Sequence, residues 1–118
     1  RLRAAARATE EGCNVRLCFD PMILTDSWRE SYGNLADHAA NIVDFSRLID
    51  VSVGCFRISK DYLSSMRKKY LDSAIAWYPY VIRNGVAQYE EDTDLKMQEF
   101  MCTKLSRYIA EEKIFKWN

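Results

Sequence analysis

The chain has 118 residues, 48% of them hydrophobic, and its 17 Lys and Arg residues balance 17 Asp and Glu residues. This length supports one domain with a real core, the apolar content excludes disorder as the default, and the neutral balance excludes a dedicated, strongly basic nucleic-acid module. No apolar run approaches the ~20 residues that span a bilayer and no signal peptide stands at Arg1, so the sequence reads as cytoplasmic, with no membrane partner. The absence of Met at position 1 fits an internal piece of a longer chain.

In chain order, residues 1–11 carry Leu2, Ala5, Ala6 and Thr9 on one helical stripe, and Gly12 stops the helix. An apolar run over 14–20 reads as a buried strand, closed by Pro21, which lacks a ladder donor. Ser27 followed by Glu30 has the spacing of a capping box, and Trp28, Tyr32, Leu35, Ala39, Ile42 and Val43 recur at helical spacing until about Asp44. A second apolar strand covers about 50–57, and Ser59 with Asp61 starts a third helix that runs through Tyr70. Helix, strand, helix, strand, helix is the alternation of parallel strands joined by crossovers.

The pattern then changes. Residues Ala74 to Tyr80 are rich in β-formers, and Tyr80 to Tyr89 reads as a hairpin turning at Asn84-Gly85, the pair that supplies both positive φ angles of a type I′ turn. That turn pairs Arg83 with Val86 and Tyr80 with Tyr89. A long last helix over about 93–110 presents Met97, Phe100, Met101, Leu105, Tyr108 and Ile109 on one face, and Ile114 to Trp117 is a final strand or packed tail.

Both strands end in a charge: Phe19-Asp20-Pro21 and Cys55-Phe56-Arg57. In parallel α/β folds, ligands sit at the carboxyl ends of strands, so Asp20 and Arg57 are the first candidates for binding. Neighbouring strands lie ~4.8 Å apart, close enough for the two to form a charge pair at a barrel mouth. There, Asp20 would accept hydrogen bonds from a ribose or amine, and Arg57 would hold a carboxylate or phosphate. Cys13, Cys18, Cys55 and Cys102 match no zinc ribbon and no redox pair, so they read as free thiols, and no metal-ligand set is present. Cys55, beside the mouth, is a secondary candidate for a reactive thiol.

The segments Arg1-Leu2-Arg3-Ala4-Ala5-Ala6, Glu11-Gly12, Pro21, Trp28-Arg29-Glu30-Ser31-Tyr32, Phe56-Arg57-Ile58, Met66-Arg67-Lys68-Lys69-Tyr70 and Lys113-Ile114-Phe115 occur in an order and spacing that resemble the C-terminal third of the spore photoproduct lyase family of radical S-adenosylmethionine enzymes. The resemblance spans nearly the whole chain. It implies an α/β fold: the C-terminal part of a partial (β/α) TIM-type barrel with a β-hairpin (77–90) and a long C-terminal helix, all within a single domain, 1–118.

In that family a 4Fe-4S cluster, held by a Cys-x3-Cys-x2-Cys loop, cleaves S-adenosylmethionine to a radical that reverts a thymine dimer in DNA. The loop is absent here. The resemblance therefore implies no catalytic residue and no cofactor held by this chain alone, a parent protein that carries cluster and S-adenosylmethionine, and the missing N-terminal part and DNA as partners.

Two departures point to a different substrate for the parent. Phe19-Asp20 stands where the family has small apolar residues, and Val81-Ile82 stands where its hairpin carries an Arg-Tyr pair, with Arg83 one position on. The hairpin-tip residues Arg83 and Asn84 are candidates to face DNA. The run Arg67-Lys68-Lys69 reads as a solvated helix face, Tyr78, Tyr80 and Tyr89 as hairpin packing, and His38 as a surface residue. A truncated barrel also exposes strand edges, which favour a homo-oligomer. The rival function is a non-catalytic protein-interaction domain that uses the hairpin and those edges.

Overall fold

The computed structural model describes residues 1–117. The strand β1 (Arg16–Met22) and the strand β2 (Asp50–Cys55) pair in parallel, with Arg16 opposite Asp50 and Phe19 opposite Val53. A third parallel strand, β6 (Ile114–Lys116), joins the far side of β2, giving the order β1-β2-β6. Pro21 does not end β1. The strand runs on to Met22 through a register irregularity after Phe19, the kind of site where a residue without a ladder donor is tolerated.

Helices cover one face of this sheet. They are α1 (Leu2–Glu10), α2 (Trp28–Ile42) and α5 (Glu91–Leu105), and their apolar stripes meet the alternate residues Phe19, Val51, Val53 and Cys55. Gly12, at φ +84°, lets the chain leave α1 for the sheet. Gly33 faces α5, where a Cβ would lie 3.5 Å from the Phe100 ring, in ordinary van der Waals contact. The capping box at Ser27 does not form, because its side chain makes no cap hydrogen bond. Inside α2, Gly33 and Ala36 are buried while Leu35 is largely exposed, so the buried stripe lies a little to one side of the one expected.

After β2 the chain builds a smaller antiparallel sheet. The expected single strand over 50–57 divides here: Arg57 belongs to β3 (Arg57–Ser59), which pairs with β5 (Val86–Gln88), and β5 pairs with β4 (Val81–Arg83). The turn is as the sequence indicates, with Asn84 at φ 51° and Gly85 at φ 77°, and Arg83 opposite Val86. The ladder covers Val81 to Gln88, shorter than 77–90: Trp77 belongs to the helix before it, 78–80 and 89–90 are irregular, and the expected pairing of Tyr80 with Tyr89 is not part of it. Between β3 and β4 lie α3 (Lys60–Lys69), capped by the Ser59 side chain, and α4 (Ala74–Trp77), capped by Ser73. The β-forming composition of 74–80 gives way at its start to that Ser73 cap, whose oxygen accepts from Ala76 N at 3.1 Å.

Candidate functional site

The parallel sheet has a second face that no helix of the described residues covers. Arg16, Cys18 and Asp20 of β1, Asp50 and Ser52 of β2, and Phe115 with Trp117 at β6 line an open hollow there. A packed barrel interior is built of branched apolar side chains. This face instead carries an ion pair across the strands (Arg16 Nε to Asp50 Oδ2, 3.1 Å), a thiol and a hydroxyl.

At the carboxyl end of this hollow the structure brings together the two residues singled out from sequence. Arg57 grips Asp20 with a two-pronged pair, Nη1 to Oδ1 and Nη2 to Oδ2, each 3.1 Å. The same Nη1 donates to the Cys55 carbonyl at 2.9 Å, and the guanidinium lies 5.4 Å from the centroid of the Trp117 ring. The hydrogen bond to Asp20 is the main reason the Arg57 pKa is raised, so the guanidinium stays charged. Gly54 explains how the carboxylate fits: a Cβ at that position would stand 2.8 Å from Asp20 Cγ and 2.9 Å from either oxygen. Asp20 thus lies directly over β2, fixed in orientation, with its remaining lone pairs available.

Two tyrosines that sequence reasoning did not single out for this role hold the loop that leaves β1. Tyr32 Oη accepts from Ile23 N at 2.6 Å and Tyr89 Oη accepts from Leu24 N at 2.9 Å. Neither has a sequence signal, since the bonds join different elements, nine residues apart for Tyr32 and 65 for Tyr89. The rings of Tyr78, Tyr80 and Tyr89 lie 4.9 to 5.5 Å from one another, as expected of hairpin packing.

The other candidates separate from the mouth. Arg83 is folded back along its own hairpin, donating to Gln88 Oε1 at 2.9 Å and to the Tyr89 carbonyl at 3.3 Å, while Asn84 is exposed at the tip. Arg67 is not a merely solvated cation: its Nε donates to the Ala76 carbonyl at 2.6 Å and its Nη2 to the Tyr78 carbonyl at 3.0 Å. His38 is exposed. Cys55 faces the helices, and burial pushes its thiol well above the usual range, which removes it as a reactive group. All four cysteines are free. Among the described residues, no three His, Cys, Asp or Glu side chains come together as a metal site, so these residues do not fit an iron–sulfur cluster. No helix of the described residues is long and apolar enough to cross a membrane.

Comparison with protein-family models and with curated proteins gives no match. Comparison with solved structures finds the fold. A spore photoproduct lyase variant with bound AdoMet and dinucleoside spore photoproduct superposes with TM-score 0.78 and 17% identity over 98% of this chain. Spore photoproduct lyase complexed with dinucleoside spore photoproduct gives the same TM-score and identity. The chain spans 36% of the length of each of these structures.

Proposed function

We propose that this chain is the C-terminal barrel wall and substrate-facing part of a radical S-adenosylmethionine DNA-repair lyase that reverts a thymine-dimer lesion of the spore-photoproduct type, in the cytoplasm. The observation that carries the reading is the mouth itself: a carboxylate locked by a guanidinium over a glycine, at the carboxyl ends of parallel strands whose uncovered face is polar. A likeness of fold to spore photoproduct lyase over nearly the whole chain supports it.

In this reading the remainder of the protein holds the cluster and S-adenosylmethionine, which supply the radical, and closes the open sheet face. This chain's residues bind and orient. Asp20, held still by Arg57 and by the space above Gly54, accepts hydrogen bonds from a hydroxyl or amine of the bound molecule. Arg57 supports Asp20, to which both of its terminal nitrogens bond. Trp117 and Phe115 give the hollow an apolar side. The hairpin stands beside the mouth with Asn84 at its tip, toward the DNA.

Arg57→Ala in the full-length protein tests the reading through lesion turnover and S-adenosylmethionine affinity, and both should fall. Unchanged values for both would remove Asp20 and Arg57 from the site. The upstream reading frame is a second check: it should encode Cys-x3-Cys-x2-Cys, and a frame without that motif would favour the rival reading of a protein-interaction domain. The open edges of β1 and β6 among the described residues favour self-association of the chain when it stands alone. Light scattering at high concentration should report a dimer or larger, against a clean monomer if the edges are inert.

A further inference from the structure

Among the described residues, half of the exposed large hydrophobics fall between Tyr62 and Ile82, on α3, the turn after it, α4 and the first hairpin strand. Trp77 is the best defined of them. The residue is 51% exposed, yet its side chain is braced. The Arg67 guanidinium lies 5.3 Å from its centroid, and Arg67 is itself fixed by the Ala76 and Tyr78 carbonyls on either side of the tryptophan. The short helix carrying Trp77 is tied to the hairpin by Tyr80, whose hydroxyl donates to the Ile75 carbonyl at 2.6 Å. The result is an aromatic plane held in place before any partner arrives. Tyr70 repeats the arrangement in smaller form: its ring is 52% exposed with Lys69 Nζ 5.5 Å from its centroid.

The surroundings are basic. Lys60, Arg67, Lys68 and Lys69 fall between Lys60 and Tyr80, against only Asp61 and Asp72. The cores of protein–protein interfaces are depleted in lysine, whereas surfaces that bind single-stranded nucleic acid combine stacking rings with cations that follow the backbone. We propose that the α3–α4 surface is a stacking subsite for unpaired bases of single-stranded DNA, with Trp77 as its principal platform, Tyr70 as a second, and Lys68 and Lys69 directed to the phosphates. This deepens the DNA-repair reading and rests on it for its biological meaning: the subsite would hold a strand beside the hairpin, apart from Asp20 and Arg57.

The test uses the chain alone with fluorescein-labelled oligothymidylate at low salt, followed by anisotropy and by quenching of tryptophan emission. The wild-type chain should bind, with affinity falling as salt rises. Trp77→Ala should weaken binding about tenfold, as loss of one stacked base predicts, and Trp77→Phe should retain most of it. Lys68→Gln with Lys69→Gln should flatten the salt dependence, and Arg47→Gln, on a distant turn, should leave binding unchanged. Circular dichroism identifies a Trp77→Ala variant that has lost its fold, in which case quenching of Trp77 in the wild-type chain decides, with Trp77→Phe showing which tryptophan is quenched.

No binding by the wild-type chain, or equal binding by folded Trp77→Ala, overturns the inference and leaves the patch to a protein partner. Oligothymidylate bound through Trp77 in a protein whose full-length form turns over no lesion would sustain the subsite while refuting the lyase reading.

Discussion

The two faces of the parallel sheet are made of the same strands and have opposite characters. On the helix side, Phe19, Val51, Val53 and Cys55 are buried under Met97, Met101 and Leu105 of α5. One residue along each strand, the other face presents Arg16, Cys18, Asp20, Asp50 and Ser52 to an open hollow. Parallel sheets are ordinarily buried on both faces, and their strands then read as continuous apolar runs. The alternation here means that the helix face buries the apolar surface while the other face is left open.

The largest effect should come from the helix face. Met97→Ala, at a fully buried position, should cost about 2–5 kcal/mol in denaturant unfolding. A cost below that range would mean that α5 is held loosely and that the contrast between faces is overstated. Gly54→Ala should behave differently. Its Cβ would displace the Asp20 carboxylate, a side-chain end that can move, so stability should change by no more than about 1 kcal/mol while the Arg57 pair is lost. A crystal structure of the variant with the pair intact would contradict this.

Cys18 and Cys55 lie on opposite faces of the sheet. Cys18 should be alkylated in the native chain and Cys55 only on unfolding. Because burial raises the Cys55 pKa, the unfolded chain releases this proton first as pH rises, so the folding stability from Cys55 is fully present below about 8.5, its ordinary value, and declines above it. A Cys55→Ala variant that kept the same decline between neutral and alkaline pH would assign it to other groups.

The smallest effect belongs to the surface clamp between α2 and the turn after α5. There Asp37 accepts from Tyr108 Oη at 2.6 Å and pairs with Lys104 Nζ at 3.0 Å. The Tyr108 hydrogen bond, then the Lys104 one, lowers the Asp37 pKa, so its contribution is present above the ordinary carboxylate range and is lost as pH falls through the lowered value. Carboxyl-carbon NMR should place the Asp37 titration below that of a free aspartate. Tyr108→Phe should move it up.

Local signals made the frame readable. Asn84-Gly85 fixed the hairpin register, and apolar runs ending in charge located β1, β2 and the pairing of Asp20 with Arg57. What stayed hidden depends on long-range geometry. Arg57 sits in the antiparallel sheet, two residues beyond the end of β2, and between them the Phe56 N–H still bonds to the Met22 carbonyl of β1 at 2.9 Å. No periodicity marks that switch. The tethers from Tyr32 and Tyr89, the role of Gly54 and the clamp of Arg67 on Trp77 likewise depend on contacts between segments, which a pattern along one strand or helix does not encode. The split between sheet faces was visible only in part, since Val15 to Phe19 reads as buried throughout while Arg16 and Cys18 are exposed.

The most direct measurement is lesion turnover by the full-length protein carrying Asp20→Asn, a change that keeps shape and removes charge. With the iron–sulfur cluster reconstituted anaerobically and a thymine-dimer oligonucleotide as substrate, the wild-type protein should revert the lesion. The variant should retain its fold and iron content and lose most of that turnover. A variant as active as wild type would contradict the proposal that Asp20 binds the substrate.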